Sequence, residues 1–210
     1  MGGWRRSGYA SRMLDSAPLF ALGITLAWLA GVRVYLTVFG VGVAALFGWL
    51  SLPDGLAVVQ HPLVIAVAFA LTVVEFIADK IPGVDTAWDL MHTLVRVPAG
   101  AFLAAYALTP NGGDPSLAVL ATGGGVALTS HLLKSGTRAL LNTSPEPISN
   151  WSASLAEDLA ALSILGLALT YPWLALACVV LLTVLLAAAL WWVIRWFRRR
   201  RRVVATVSRV

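Results

Sequence analysis

Charge is scarce in this chain: Asp, Glu, Lys and Arg make up 12% of its 210 residues, about half the share found in soluble domains. That scarcity excludes a water-facing surface over most of the molecule. Cysteine is almost missing. A lone Cys178 rules out an internal disulfide and a multi-cysteine metal site, and it reads as a small apolar filler. No apolar core of signal-peptide length with a small-residue cleavage site stands near the N-terminus. Residues 1–16, with Arg5, Arg6 and Arg12, therefore read as an uncleaved basic tail.

What remains is apolar. The chain is 59% hydrophobic with a mean hydropathy of +0.84, the composition of an integral membrane protein. Nine tryptophans, many near the ends of apolar runs, fit the aromatic belts at the headgroup level. The sequence pI near 10.0 invites a polyanionic partner, but the basic excess sits at the two ends, where Arg195, the run 198–202 and Arg209 match the N-terminal arginines. Anionic lipid headgroups at the Arg-rich tail are the expected partners, and nucleic acid is not.

Apolar runs at 18–50, 62–81, 85–109, up to 141, up to 170 and 173–197 predict an all-α, polytopic helix bundle of about six crossings. Residues 1–16 form a tail, 17–197 the transmembrane domain and 198–210 an Arg-rich tail. The run 18–50 exceeds what a hydrocarbon core of roughly 30 Å needs at about 1.5 Å per residue, so it tilts or breaks, with Gly31 beside Arg33 as the expected break. Pro53, Asp54, Gly55 and Pro62 mark a loop or shallow re-entrant turn. Gly123, Gly124 and Gly125 predict a close helix contact or a local unwinding. Arginine asymmetry puts both termini in the cytoplasm and the 110–115 turn outside. Cutting at that turn leaves three crossings on either side, which makes 17–110 and 115–197 candidate inverted repeats.

The stretch EFIADKIPGVDTAWDLMHTLVR, residues 75–96, interrupts this apolar pattern. Glu75 and Asp79 lie four apart on one helix face, and Asp85, Asp89, His92 and Arg96 form a second stripe. His131, Lys134 and Arg138 make a third, and the adjacent pair Glu157 and Asp158 follows on helix five. A charge at the bilayer centre costs about 2.5–3.5 kcal/mol on insertion scales, so such residues pair, face the bundle interior or mark a ligand path. Lys80, Asp85, Arg138 and Glu146 sit within a turn of the expected boundary, where they can pair or snorkel. Arg96 is about 15 Å from that boundary. It and Arg33 stay protonated, so they need buried carboxylates or an anionic ligand.

Arg33, Arg96, Lys134 and Arg138 are therefore candidate substrate-binding residues. Glu75, Asp79, Asp85, Asp89, Glu157 and Asp158, with His92 and His131 as relays near neutral pH, are candidate proton-coupling or ion-binding residues. Glu75, Asp79, Glu157, Arg33 and Arg96 are expected to share one cavity. No cofactor is called for. A divalent metal stays open, because the same Asp, Glu and His residues can ligate one, although the interleaved cations would repel it. The Glu75-x3-Asp79 and Asp85-x3-Asp89 spacing is also similar to the acidic repeats by which membrane prenyltransferases and alcohol phosphatidyltransferases hold Mg, but their further motifs are absent.

Taken together, Glu75, Asp79, Lys80, Pro82, Asp85, Trp88 and Asp89, then Lys134 and Arg138, then the loop motif of Asn142, Ser144, Glu146, Ser149 and Asn150 within N-x-SPEP-x-SN, ahead of Ser154, Glu157 and Asp158, resemble the bacterial membrane family catalogued as domain of unknown function 4126. The resemblance covers roughly 19–172 and leaves out the Arg-rich tail. It implies a multi-pass fold in the bacterial inner membrane and carries no activity. The expected function is proton-coupled secondary transport of a small anionic solute or an anionic lipid headgroup. A divalent-cation transporter, a Mg-dependent lipid-modifying enzyme and a non-transporting scaffold are the alternatives, and a homo-oligomer stays open.

Overall fold

A computed structural model describes residues 16–81, 83–109, 113–141 and 147–207. Helix α1 spans Ser16–Leu46, and a 3₁₀ turn at Asp54–Gln60 leads into α2, Pro62–Ala78. Then come α3 (Val84–Ala107), α4 (Leu117–Leu141), α5 (Pro147–Thr170) and α6 (Pro172–Val207), with no strand among the described residues. The N-terminal tail and the loop-motif residues Asn142, Ser144 and Glu146 lie outside the described residues, as do the side chains of Ser149 and Asn150.

Local chemistry sets the helix boundaries. Proline opens α2, α5 and α6, where its missing N–H costs nothing, and His61 Nδ1 accepts from the Leu63 N–H at 3.2 Å to cap α2. Gly83, at φ +88, takes the chain from α2 into α3 through a conformation other residues avoid, and Asp85 accepts from its N–H at 2.9 Å. Arginine is a good helix former, and no Gly or Pro follows Trp173. The last helix accordingly continues through 198–202 to Val207, beyond the tail boundary expected at residue 198.

Among the described residues, five segments are long and apolar enough to cross a membrane: Ala17–Leu46, Ala87–Ala107, Leu117–Leu141, Trp151–Thr170 and Pro172–Trp196. The 3₁₀ turn and α2, bent by 63° at their junction, supply a sixth if they count as one broken span. The protein is a multi-pass helical membrane protein.

Helix α1 is the axis of the bundle and touches every other helix. Leu19, Leu22, Leu26, Leu29, Val34 and Val41 along it are buried. Helices α3 and α4 pack through glycines: a Cβ on Gly123 would come within 2.6 Å of Ala104 Cβ, and one on Gly100 within 2.4 Å of Ala127 Cβ. This is the small-residue contact by which membrane helices approach closely. The triple glycine is therefore a helix contact at Gly123, and α4 stays helical through it.

The long first run does break. The non-helical residue is Arg33 itself (φ −144, ψ 75), two positions after the expected Gly31. Gly31 serves packing instead, because a Cβ there would sit 1.9 Å from Ser130 Oγ. Polar side chains meet the carbonyls around the break: Ser130 Oγ donates to Trp28 O at 2.8 Å, Lys134 Nζ to Val32 O at 3.3 Å and Thr37 Oγ1 to Arg33 O at 2.8 Å. Irregular backbone at membrane depth is sustained only where such partners exist. Helices α2 and α5 both pack on α1 and scarcely touch each other, which leaves a gap between them.

Candidate functional site

The break in α1 places one guanidinium among three acidic side chains. Arg33, 2% exposed, donates through Nη1 to Asp79 Oδ2, while its Nη2 lies 2.7 Å from Asp158 and 3.8 Å from Glu157. Lys134 Nζ stands 3.1 Å from Asp79, 3.3 Å from Asp89 and 3.9 Å from Glu157. Arg138 grips Glu157 with two parallel bonds, Nε to Oε1 at 3.0 Å and Nη2 to Oε2 at 2.9 Å, the fork geometry for which guanidinium is suited. It also donates to the Asp79 carbonyl at 3.3 Å.

Deeper along α3, Arg96 is fully buried. Its Nη2 donates to Glu75 Oε1 and its Nη1 to Asp89 Oδ1, each at 2.6 Å. The links Asp79–Lys134–Asp89 join this end to Arg33 and make one continuous network on α1 to α5. Stripes at three- and four-residue spacing achieve this because each turns its polar face toward the break. A buried charge stripped of its partner typically costs about 3–5 kcal/mol, so the pairs sustain one another.

Lys80, in the turn after α2, lies 3.6 Å from Asp158 and spans the gap to α5. Its ammonium also sits 3.0 Å from the centre of the Phe76 ring and donates to the Phe76 carbonyl at 3.1 Å. Burial holds it below the ordinary lysine range, against the pull of Asp158. Asp85, buried at the same turn, acts electrostatically on Arg138. Among the described residues the ion pairs join five cations (Arg33, Lys80, Arg96, Lys134 and Arg138) to five carboxylates (Glu75, Asp79, Asp89, Glu157 and Asp158), with Asp85 buried at their edge.

The two membrane histidines differ. His92 is stacked on Trp88, with ring centres 4.0 Å apart, and edges Tyr35, while its Nδ1–H donates to the Trp88 carbonyl at 2.8 Å. It packs beside the network. His131 is within it: Arg96 Nη1 lies 3.0 Å from Nδ1, and Thr93 Oγ1 2.7 Å from Nε2. Arginine can only donate, so Nδ1 accepts and Nε2 carries the proton. Thr93 then accepts from His131 and donates to the Asp89 carbonyl at 3.1 Å. Sequence reasoning passed over Thr93, although it lies four residues after Asp89 and so on the same face. Ser130 was missed as well, because only the position of the α1 break gives its hydroxyl a task.

The expected substrate-binding residues Arg33, Arg96, Lys134 and Arg138 and the expected coupling carboxylates thus occupy one cluster, packed against each other. Asp85 and Arg138, read as boundary residues, are buried at 1% and 2% exposure, not snorkelling. The hollow lies to one side. A cavity of about 210 Å³ between α1, α2 and α5 has Arg33, Glu75 and Asp158 at its polar end. Leu36, Val73, Phe76 and Leu162, with Thr72, line the rest of it. Among the described residues, no three His, Cys, Asp or Glu side chains converge in a way that could hold a metal ion. The acidic repeats point at Arg and Lys: Glu75 and Asp89 at Arg96, Asp79 at Arg33 and Lys134.

Neither a curated protein nor a solved structure matches the chain. A family model does, over residues 20–194, which takes in every helix that contributes to the network and most of α6. The chain belongs to the family described as a domain of unknown function, DUF4126.

Proposed function

We propose that the protein is a proton-coupled secondary transporter whose substrate, a small anionic solute or an anionic lipid headgroup, binds by taking over one arm of the buried ion-pair network. The observation that carries this reading is Arg33. It sits at a helix break inside the bundle and is shared by Asp79, Glu157 and Asp158. Broken helices in transporters commonly carry the binding site. An anion reaching Arg33 competes with three carboxylates, and protonating one of them frees the guanidinium. A carboxylate displaced from Arg33 is left buried without its cation, and burial favours its uptake of a proton. Coupling follows from that exchange of anion and proton at Arg33.

In this reading Arg96, Lys134 and Arg138 hold the remaining carboxylates while Arg33 is engaged. The arginine-rich ends face the cytoplasm of an inner membrane, and the two sets of three spans rock as inverted repeats. The divalent-cation and Mg-enzyme readings require a metal to displace guanidinium and ammonium groups already at 2.6–3.3 Å from its ligands. The test uses purified protein in vesicles with an internal pH dye and an inward proton gradient. Inorganic phosphate or sulfate, which does not cross a bare bilayer, should accelerate proton entry over that of protein-free vesicles, and Asp79→Asn should abolish the excess. Proton entry indifferent to every anion, or unchanged in Asp79→Asn, would refute it.

A further inference from the structure

We propose that the gap between α2 and α5 is a lateral portal, through which a single-chain amphiphile with a carboxylic acid head enters from the bilayer and seats that head beside Arg33 and Glu75. This rests on the transport reading above and names its substrate class. Three observations carry it. The first is the shape of the site. The cavity lies where α2 and α5 fail to meet, and its apolar wall ends in Val73, Phe76 and Leu162, which are 43%, 43% and 52% exposed. On a membrane-spanning bundle that surface meets acyl chains, not water. At about 210 Å³ it is smaller than the roughly 300–1,000 Å³ of sites that enclose a whole ligand. It holds a head and the start of a chain, and the rest of the chain stays in the lipid.

The second observation is unspent hydrogen-bonding capacity at the polar end. Glu75 is 1% exposed, and while Oε1 accepts from Arg96, Oε2 has no hydrogen-bond partner among the described residues. Arg33, which lines the same cavity, likewise leaves its Nε without a partner among the described residues. Leaving a buried acceptor and a buried charged donor unmet is costly. A carboxylic acid answers both: its O–H donates to Glu75 and its carbonyl accepts from Arg33. A quaternary ammonium head has no proton to donate and meets Arg33 as a like charge.

The third is the strap. The contact of Lys80 with Asp158 at 3.6 Å crosses the gap on the side of the α2–α3 turn, and the same ammonium caps the Phe76 ring. It closes that end and leaves the lipid side as the way in.

The experiment places the full-length protein in phosphatidylcholine vesicles with a diazirine-bearing dodecanoic acid, followed by photolysis and peptide mapping. Labelling should concentrate on 72–76 and 158–162. Unlabelled dodecanoic acid should compete, while acetate and dodecyltrimethylammonium should not. Val73→Trp, which fills the mouth from an exposed position, should cut labelling about tenfold. Val74→Trp, equally exposed but outside the cavity, should leave it unchanged. Labels spread evenly along the lipid-facing residues of α2 and α5, or equal competition by dodecyltrimethylammonium, would overturn the portal. The two readings fail separately: anion-driven proton entry without portal labelling removes the portal alone, and portal labelling without proton entry removes transport alone.

Discussion

Arg96 Nη2 donates to Glu75 Oε1 at 2.6 Å, and this bond joins α3 to α2, two helices whose backbones otherwise approach at few points. Both side chains are buried, at 0% and 1% exposure. In hydrocarbon, apolar packing gives helices little reason to associate, so such polar contacts carry much of the specificity of assembly.

Breaking that pair from one side should be worse than removing both ends. Arg96→Met leaves Glu75 buried without its cation and Asp89 with Lys134 alone, and should cost about 3–5 kcal/mol. Glu75→Gln, which leaves Asp89 as a partner for Arg96, should cost less. The double variant should be less destabilised than the sum of the singles, and melting curves in detergent would read the difference as a coupling energy. Additive losses would mean that the bond contributes nothing beyond its parts.

Gly31 and Gly125 make a clean comparison. A Cβ at Gly31 would lie 1.9 Å from Ser130 Oγ and 2.1 Å from the Ala127 carbonyl, whereas at Gly125 nothing lies within 4 Å. Overpacking of that kind typically costs about 1–3 kcal/mol. Gly31→Ala should lower the melting temperature and Gly125→Ala should not. Equal effects would mean that α1 and α4 are not in this contact.

The sequence made the spans, their polar stripes and the membership of the cluster readable, because Glu75 with Asp79, Asp89 with Arg96 and Lys134 with Arg138 each follow helical spacing on an otherwise apolar chain. It did not reveal who pairs with whom. Asp79 contacts residues 46 and 55 positions away, and pairing at that separation depends on how α1, α2 and α4 are rotated. The break was misplaced by two residues because glycine is read as a weak point, while the cause here is tertiary: Arg33 reaches its carboxylates from extended backbone. The side cavity had no sequence signal. It arises because α2 and α5 scarcely touch.

The state of His131 can be read directly. With Arg96 donating to Nδ1 and Thr93 accepting from Nε2, the ring is neutral with its proton on Nε2. Nitrogen NMR of labelled protein at neutral pH should show one protonated and one bare ring nitrogen, and Thr93→Val should change that pattern more than Thr129→Val, whose hydroxyl bonds only within its own helix. An imidazolium spectrum would mean that Arg96 does not face Nδ1.

The end of α6 should sense lipid charge. Trp191, Trp192 and Trp196 cluster with Arg195 and Arg199 on one exposed patch, and the Arg195 guanidinium lies 4.9 Å from the Trp191 ring. Indole rings settle at the headgroup level and hold the arginines where anionic lipid attracts each by about 1 kcal/mol. The protein should therefore melt higher in phosphatidylglycerol nanodiscs than in phosphatidylcholine ones. Raising the salt should shrink the difference as the Debye length falls below about 10 Å, and Arg195→Gln with Arg199→Gln should remove much of it. The described network, buried on the other five helices, is not exposed to this screening, so a difference that survives both salt and the double substitution would place the lipid sensitivity elsewhere in the fold.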